Sequence, residues 1–280
     1  MKMDVIGRRE FLAGSLAGML LPRYGRASQP ASGGVIRLRN AEGAKILNAA
    51  IGDPSYWAGA DIDRYKGQLY DESRLKPMET SYLTMITGEG QEDFKAEEVV
   101  HTVLTHQHNL QTHMEGCTIS HHLDRGVEPD FGVPYKDLYI LGDFTFFYGG
   151  YFQRLYRYDL PDGRTACAFE NLKEAQVTKS KWSEYMEIKK GLDAKADVRW
   201  PIFNDIVPIE DIFGVYLVEP GKVHTTRVTL ISKIRFGSEA GWIAQVGSEM
   251  PFVLKDGLRN GFDASVSIAR SVKSGQYPLP

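Results

Sequence analysis

The chain has 280 residues, 42% of them hydrophobic and 25% charged, with a formal net charge of −3. These are the values of an ordinary globular chain, and they exclude collagen-like, low-complexity and intrinsically disordered classes. Lys and Arg form no run or stripe, so no nucleic-acid partner is expected.

The N-terminus reads Gly7-Arg8-Arg9-Glu10-Phe11-Leu12. Paired arginines, one spacer and Phe-Leu form the twin-arginine export pattern. The Gly- and Ala-rich apolar stretch from Leu12 to Leu21 is too short and too weakly apolar for a permanent membrane span, and Pro22 ends it. Gly25-Arg26-Ala27 offers small residues around a cleavage point before Ser28. Residues 1–27 are therefore expected to be a signal peptide. The twin-arginine translocase would then deliver a folded product to the periplasm. These residues hold five basic and two acidic side chains, so cleavage would take the charge from −3 to about −6. No later segment approaches a spanning length.

Residues 28–79 form a leader and N-terminal extension, with a short helix expected over 40–51, stopped by Gly52-Asp53-Pro54. Residues 53–79 show no regular pattern. Thr80 to Thr87 is rich in β-branched and aromatic residues, which predicts a strand. Val99, Val100, Val103 and Leu104 repeat at helical spacing and predict a helix to about Gln107, with a short turn from Asn109 to Glu115. Five strands are predicted next: 118–124, 137–147, 151–160, 164–172 and 211–218. Pro161-Asp162-Gly163 turns the chain between the third and fourth. Residues 173–208 form an irregular insert before the fifth. A sixth strand, Lys222 to Phe236, alternates His224, Thr226, Val228, Leu230 and Ser232 on one buried face. A long helix is predicted over 241–272, its stripe formed by Ile243, Val246, Met250, Val253, Leu254, Leu258 and Phe262.

Strand, helices, six strands and a long final helix is an α+β order. A curved antiparallel sheet gripping the helix buries its stripe. With Ala96-Glu97-Glu98-Val99-Val100, Gly214-Val215-Tyr216-Leu217-Val218 and Gly241-Trp242-Ile243 with Pro251-Phe252-Val253-Leu254, this order resembles the START-like superfamily, also called SRPBCC. The resemblance covers residues 80–272 and implies a domain over 80–280 with the helix-grip fold. It also implies an apolar cavity between sheet and helix, of about 300 Å³ or more, that binds a hydrophobic small molecule: lipid, sterol-like or polyketide-like. On this fold Cys117 and Cys167 lie three strands apart, about 14 Å. A disulfide needs Cα atoms within about 7 Å, so two free thiols are expected.

The resemblance places several candidate ligand-binding residues along the cavity: His122, Tyr139, Phe146, Tyr156, Phe169, Tyr216, Arg227 and Met250. His121 and His122 point to opposite faces of a strand, so one faces the cavity. Arg227 inside would need a carboxylate, with Glu170 and Asp143 as candidates. Pro251 with Gly247, Gly257 and Gly261 marks a kinked or loosely held helix. Six of the seven histidines lie between 101 and 122, but no pair within the predicted helix has the i,i+3 or i,i+4 spacing of helical metal ligands. No cofactor is expected, and metal chemistry through these histidines stays open. An enzyme on the same fold, of cyclase, aromatase or hydrolase type, is the alternative. It would use a cavity His or Tyr as general acid or base.

Overall fold

The computed structural model describes residues 35–66, 70–79, 81–89, 99–100, 109–114, 116–143, 148–196, 206–220, 225–236 and 251–277. The expected signal peptide, most of the helix expected to end near Gln107, and Phe146, His224 and Met250 lie outside the described residues.

Helix α1 (Ala41–Gly52) starts at Asn40, whose side chain accepts a hydrogen bond from the Gly43 N–H. Three strands follow: β1 (Asp61–Arg64), β2 (Glu72–Pro77) and β3 (Tyr82–Glu89). After the short α2 (Leu110–His113) come β4 (Cys117–Glu128), β5 (Val133–Asp143), β6 (Tyr148–Asp159) and β7 (Thr165–Asn171). Helix α3 (Lys179–Asp193) precedes β8 (Ile206–Pro220) and β9 (Thr226–Phe236), and α4 (Pro251–Lys273) closes the order. The nine described strands form one curved sheet, ordered β1-β2-β3-β9-β8-β7-β6-β5-β4. Neighbours in this order are antiparallel. Beyond the end of the shorter β7, the start of β8 also pairs in parallel with Tyr148–Gly150 of β6.

The helix-grip architecture expected from the sequence is the one observed. Two of its parts are more regular than expected. Within the residues set apart as an extension, β1 and β2 join the sheet: β1 pairs with β2, and β2 with β3. The insert contains a 15-residue helix, begun by Thr178, whose side chain accepts from the Lys181 N–H.

The central strands alternate between two buried environments. The inner face meets α4 and carries Leu138, Leu155, Phe169, Tyr216 and Leu230, packed with Leu258, Phe262 and Ile268 of the helix. The outer face is covered as well. Residues 36–50 pack on Tyr156, Tyr158, Phe213 and Val215, and a Cβ at Gly43 would lie 2.9 Å from the Phe213 ring. Helix α3 packs Tyr185 and Trp182 against Phe152, with Phe152 and Trp182 ring centroids 5.0 Å apart.

Under this outer cover lies a buried ionic network. Arg154 is bidentate to Asp137 at 2.7 and 2.8 Å and donates to Glu128 at 2.7 Å, while its guanidinium sits 4.0 Å above the Tyr135 ring. Arg39 pairs with Glu128 and Asp130. The Glu170 carboxylate accepts from the Arg39 and Asn40 backbone N–H groups at 2.9 and 2.8 Å, and from the Tyr156 hydroxyl at 2.6 Å. Burial pushes both Asp137 and Glu170 upward from the usual carboxylate range, and these bonds pull the other way.

Candidate functional site

Between the inner face and α4 lies a cavity of about 220 Å³. Its apolar wall comes from Ile140, Phe169, Ile212, Leu230, Ile234 and Phe236 of the sheet, closed by Leu110 and Met114 beside α2. The helix contributes Leu254, Gly257, Leu258, Asn260 and Gly261. The volume falls below the about 300 Å³ expected. It exceeds the about 150 Å³ of a cavity that takes one benzene ring. A small occupant fits: one short chain or a pair of fused rings.

The helix makes this space by leaving side chains out. Gly257 and Gly261 are i,i+4 neighbours on the cavity side. A Cβ built at Gly257 meets no described atom within 4 Å, and one at Gly261 meets only Leu230 Cδ2, at 3.8 Å. The opposite wall has its own requirement at Gly214. A Cβ there would lie 2.3 Å from Phe169 Cζ and 2.5 Å from the Ile231 carbonyl oxygen, so glycine is what lets the Phe169 ring lie flat across the strand.

The polar groups of the lining are few. Thr84 Oγ1 donates to the Ser232 carbonyl at 2.9 Å and lies 3.1 Å from Ser232 Oγ. The Tyr151 hydroxyl donates to Gln153 Oε1 at 3.2 Å. Burial pushes the Cys117 thiol up to about 12 and raises the Tyr151 phenol well above its ordinary value. Cys117 and Cys167 are both free, as expected.

Of the candidate residues, Phe169 and Tyr216 line this cavity. Tyr139 and Tyr156 do not. Strand alternation turns both to the outer face, where the Tyr139 hydroxyl donates to Asp193 at 2.5 Å and that of Tyr156 to Glu170. Arg227 is one step out of phase with Leu230 and also points outward. Its Nε lies 3.9 Å from Glu219, a half-exposed ion pair rather than a buried anchor. His122 pairs with Leu138 and so shares the inner face, but it is partly exposed and outside the cavity lining. Phe146 and Met250 lie outside the described residues. Among the described residues no group of three or more His, Cys, Asp or Glu side chains is placed to hold a metal ion. His113 has another task. Its Nδ1 lies 2.9 Å from Ser267 Oγ and its Nε2 2.9 Å from the Tyr277 hydroxyl, fastening α2 to the end of α4.

The sequence reading missed Thr84, Gln153, Asn260 and the cavity role of the two helix glycines. A signal for the glycines was present: i,i+4 spacing along the edge of the stripe formed by Leu254, Leu258 and Phe262, with Gly257 exposed and Gly261 half-buried.

No protein-family model and no curated protein matches the sequence. Solved structures do match. A fragment of the STAR-related lipid transfer protein from Xanthomonas axonopodis superposes with a TM-score of 0.51 at 12% identity, over 77% of this chain and 99% of that one. Human STARD10 superposes with a TM-score of 0.54 at 9% identity, over 90% of this chain and 94% of that one. Strand order, gripped helix and these superpositions agree, and the chain has the START-like helix-grip fold.

Proposed function

We propose that the protein is an exported START-like carrier that holds one hydrophobic small molecule, of lipid, sterol-like or polyketide-like chemistry, between the sheet and α4. The observation that carries this reading is the apolar cavity at the helix–sheet seam, hollowed by Gly257 and Gly261. Burial of apolar ligand surface would supply the affinity, at about 25 cal/mol per Å², with the few hydroxyls and amides setting orientation. The fold shared with a STAR-related lipid transfer protein agrees with it. Among the described residues no helix is long and apolar enough to cross a membrane. The order Arg8-Arg9, apolar stretch, small residues is the support for export to the periplasm by the twin-arginine route.

An acid–base enzyme on this fold would need titratable groups poised near neutrality at one point of the cavity. Among the described lining residues, burial shifts Cys117 and Tyr151 upward, away from that range.

The test is native mass spectrometry of protein purified gently from the periplasmic fraction, before and after solvent extraction. One apolar compound released unchanged, from a chain beginning near Ser28, is the expected result. An empty protein carrying about one zinc or iron per chain would sink the carrier reading. Recovery only from the cytoplasm, with residues 1–27 intact, would sink export.

A further inference from the structure

The cavity differs from the rest of the interior in its charge. Arg154, Asp137, Glu128 and Glu170, all buried, lie together on the outer side of the sheet. On the inner side, the described lining holds no Asp, Glu, Lys, Arg or His. Its polar groups are hydroxyls, the Cys117 thiol, and the carboxamides of buried Gln153 and exposed Asn260. A carboxylate, phosphate or ammonium placed there would find no counter-charge among the described lining residues; Lys136 and Arg157, on the same face of the sheet, lie outside that lining. Burying an ion without a partner costs far more than burying a hydroxyl that finds one hydrogen bond.

We propose that this cavity selects an uncharged ligand: a small apolar molecule with one hydroxyl or carbonyl, anchored near Gln153 and Tyr151, and that it rejects the ionised form of the same skeleton. This rests on the carrier reading and narrows it, because it sets aside fatty acids and charged-headgroup lipids. Gln153 suits the anchor role because a carboxamide both donates and accepts, and so meets either kind of neutral head group. The about 220 Å³ of space suits a chain of about eight carbons or two fused rings better than a long-chain lipid.

The test compares octan-1-ol with octanoate, which have equal chains and differ in head-group charge. Isothermal titration of the purified, solvent-extracted protein at pH 7.5 is expected to show saturable binding of octan-1-ol, with octanoate at least about tenfold weaker. Gln153→Leu is expected to weaken octan-1-ol by about fivefold while leaving the melting temperature within a few degrees. Octanoate binding as tightly as octan-1-ol would overturn the charge selection and leave the carrier reading standing. Saturable binding of neither probe would overturn both. Full octan-1-ol affinity in the folded Gln153→Leu protein would overturn the anchor.

Discussion

Gly257 and Gly261 set stability against volume, and substitution separates the two. In a helix interior, glycine costs about 1 kcal/mol relative to alanine. Neither position repays that cost by close packing: an added Cβ meets no described atom within 4 Å at Gly257 and makes ordinary contact at Gly261, 3.8 Å from Leu230. Gly257→Ala with Gly261→Ala should therefore stabilise the fold by about 2 kcal/mol if the sites act independently, and by somewhat less if these i,i+4 neighbours couple. For a chain of this size that is a rise in melting temperature of about 4–8 °C, read by circular dichroism. Gly261→Leu extends the logic, because its side chain would occupy the space above Leu230. It should keep the fold and lose octan-1-ol binding by tenfold or more. A lower melting temperature in the double alanine variant would show that the space over the helix is not open. Undiminished binding in a well-folded Gly261→Leu would show that the ligand sits elsewhere. Stability gained as binding is lost is the signature of a cavity kept at the expense of the helix.

Two further predictions concern the elements that frame the cavity. Arg154→Met would leave Asp137 and Glu128 with much of their counter-charge removed, and should cost about 3–5 kcal/mol in urea unfolding; a loss under 1 kcal/mol would mean that the network is replaceable. Burial holds His113 below the ordinary histidine value, in the neutral form that joins Ser267 to Tyr277. A lowered folded-state value contributes stability that is full above about pH 6.5 and lost as pH falls through the folded value. The advantage of the native chain over His113→Gln should accordingly shrink between pH 7.5 and 5 in thermal melts. A constant difference across that range would refute the assignment.

The strands nearest the cavity were legible because their signals are strong. The reading of 151–160 and 164–172 corresponds to β6 at Tyr148–Asp159 and β7 at Thr165–Asn171, joined by a turn in which Gly163 has φ +85°. The edge of the sheet was not. β1 has four residues, three exposed and one half-buried, and β2 fully buries only Ser73 and Leu75, so neither shows the apolar alternation that marks a strand. Helix α3 fully buries only Tyr185, with Trp182, Ile188 and Leu192 half-buried among charged residues, so its apolar stripe is narrow. Site residues failed for a different reason. A sheet with one wet face reveals its inward residues by polarity, but here α1 and α3 cover the outer face, so aromatic residues occur at both parities. Tyr139 and Tyr156 are as apolar in context as Phe169 and Tyr216, and only the register separates them.

That same register explains how β6 carries an ionic network and an uncharged cavity wall a single residue apart. On β6, Tyr151, Gln153 and Leu155 face α4, while Phe152, Arg154 and Tyr156 face outward. The outer cover can satisfy ions. It brings the backbone N–H groups of Arg39 and Asn40, the Tyr185 hydroxyl at 2.9 Å from Asp137, and the Arg39 guanidinium. Around the cavity the inner cover brings Leu254, Gly257, Leu258 and Gly261, with the Asn260 carboxamide as its polar group and no charged side chain in the described lining. An arginine moved one position along the strand, from 154 to 153, would exchange three charge-assisted hydrogen bonds for a wall of leucine, isoleucine and phenylalanine. The outer network anchors the sheet where ions have partners, and on the inner face the charged Lys136 and Arg157 stand outside the described cavity lining, which holds no charged side chain.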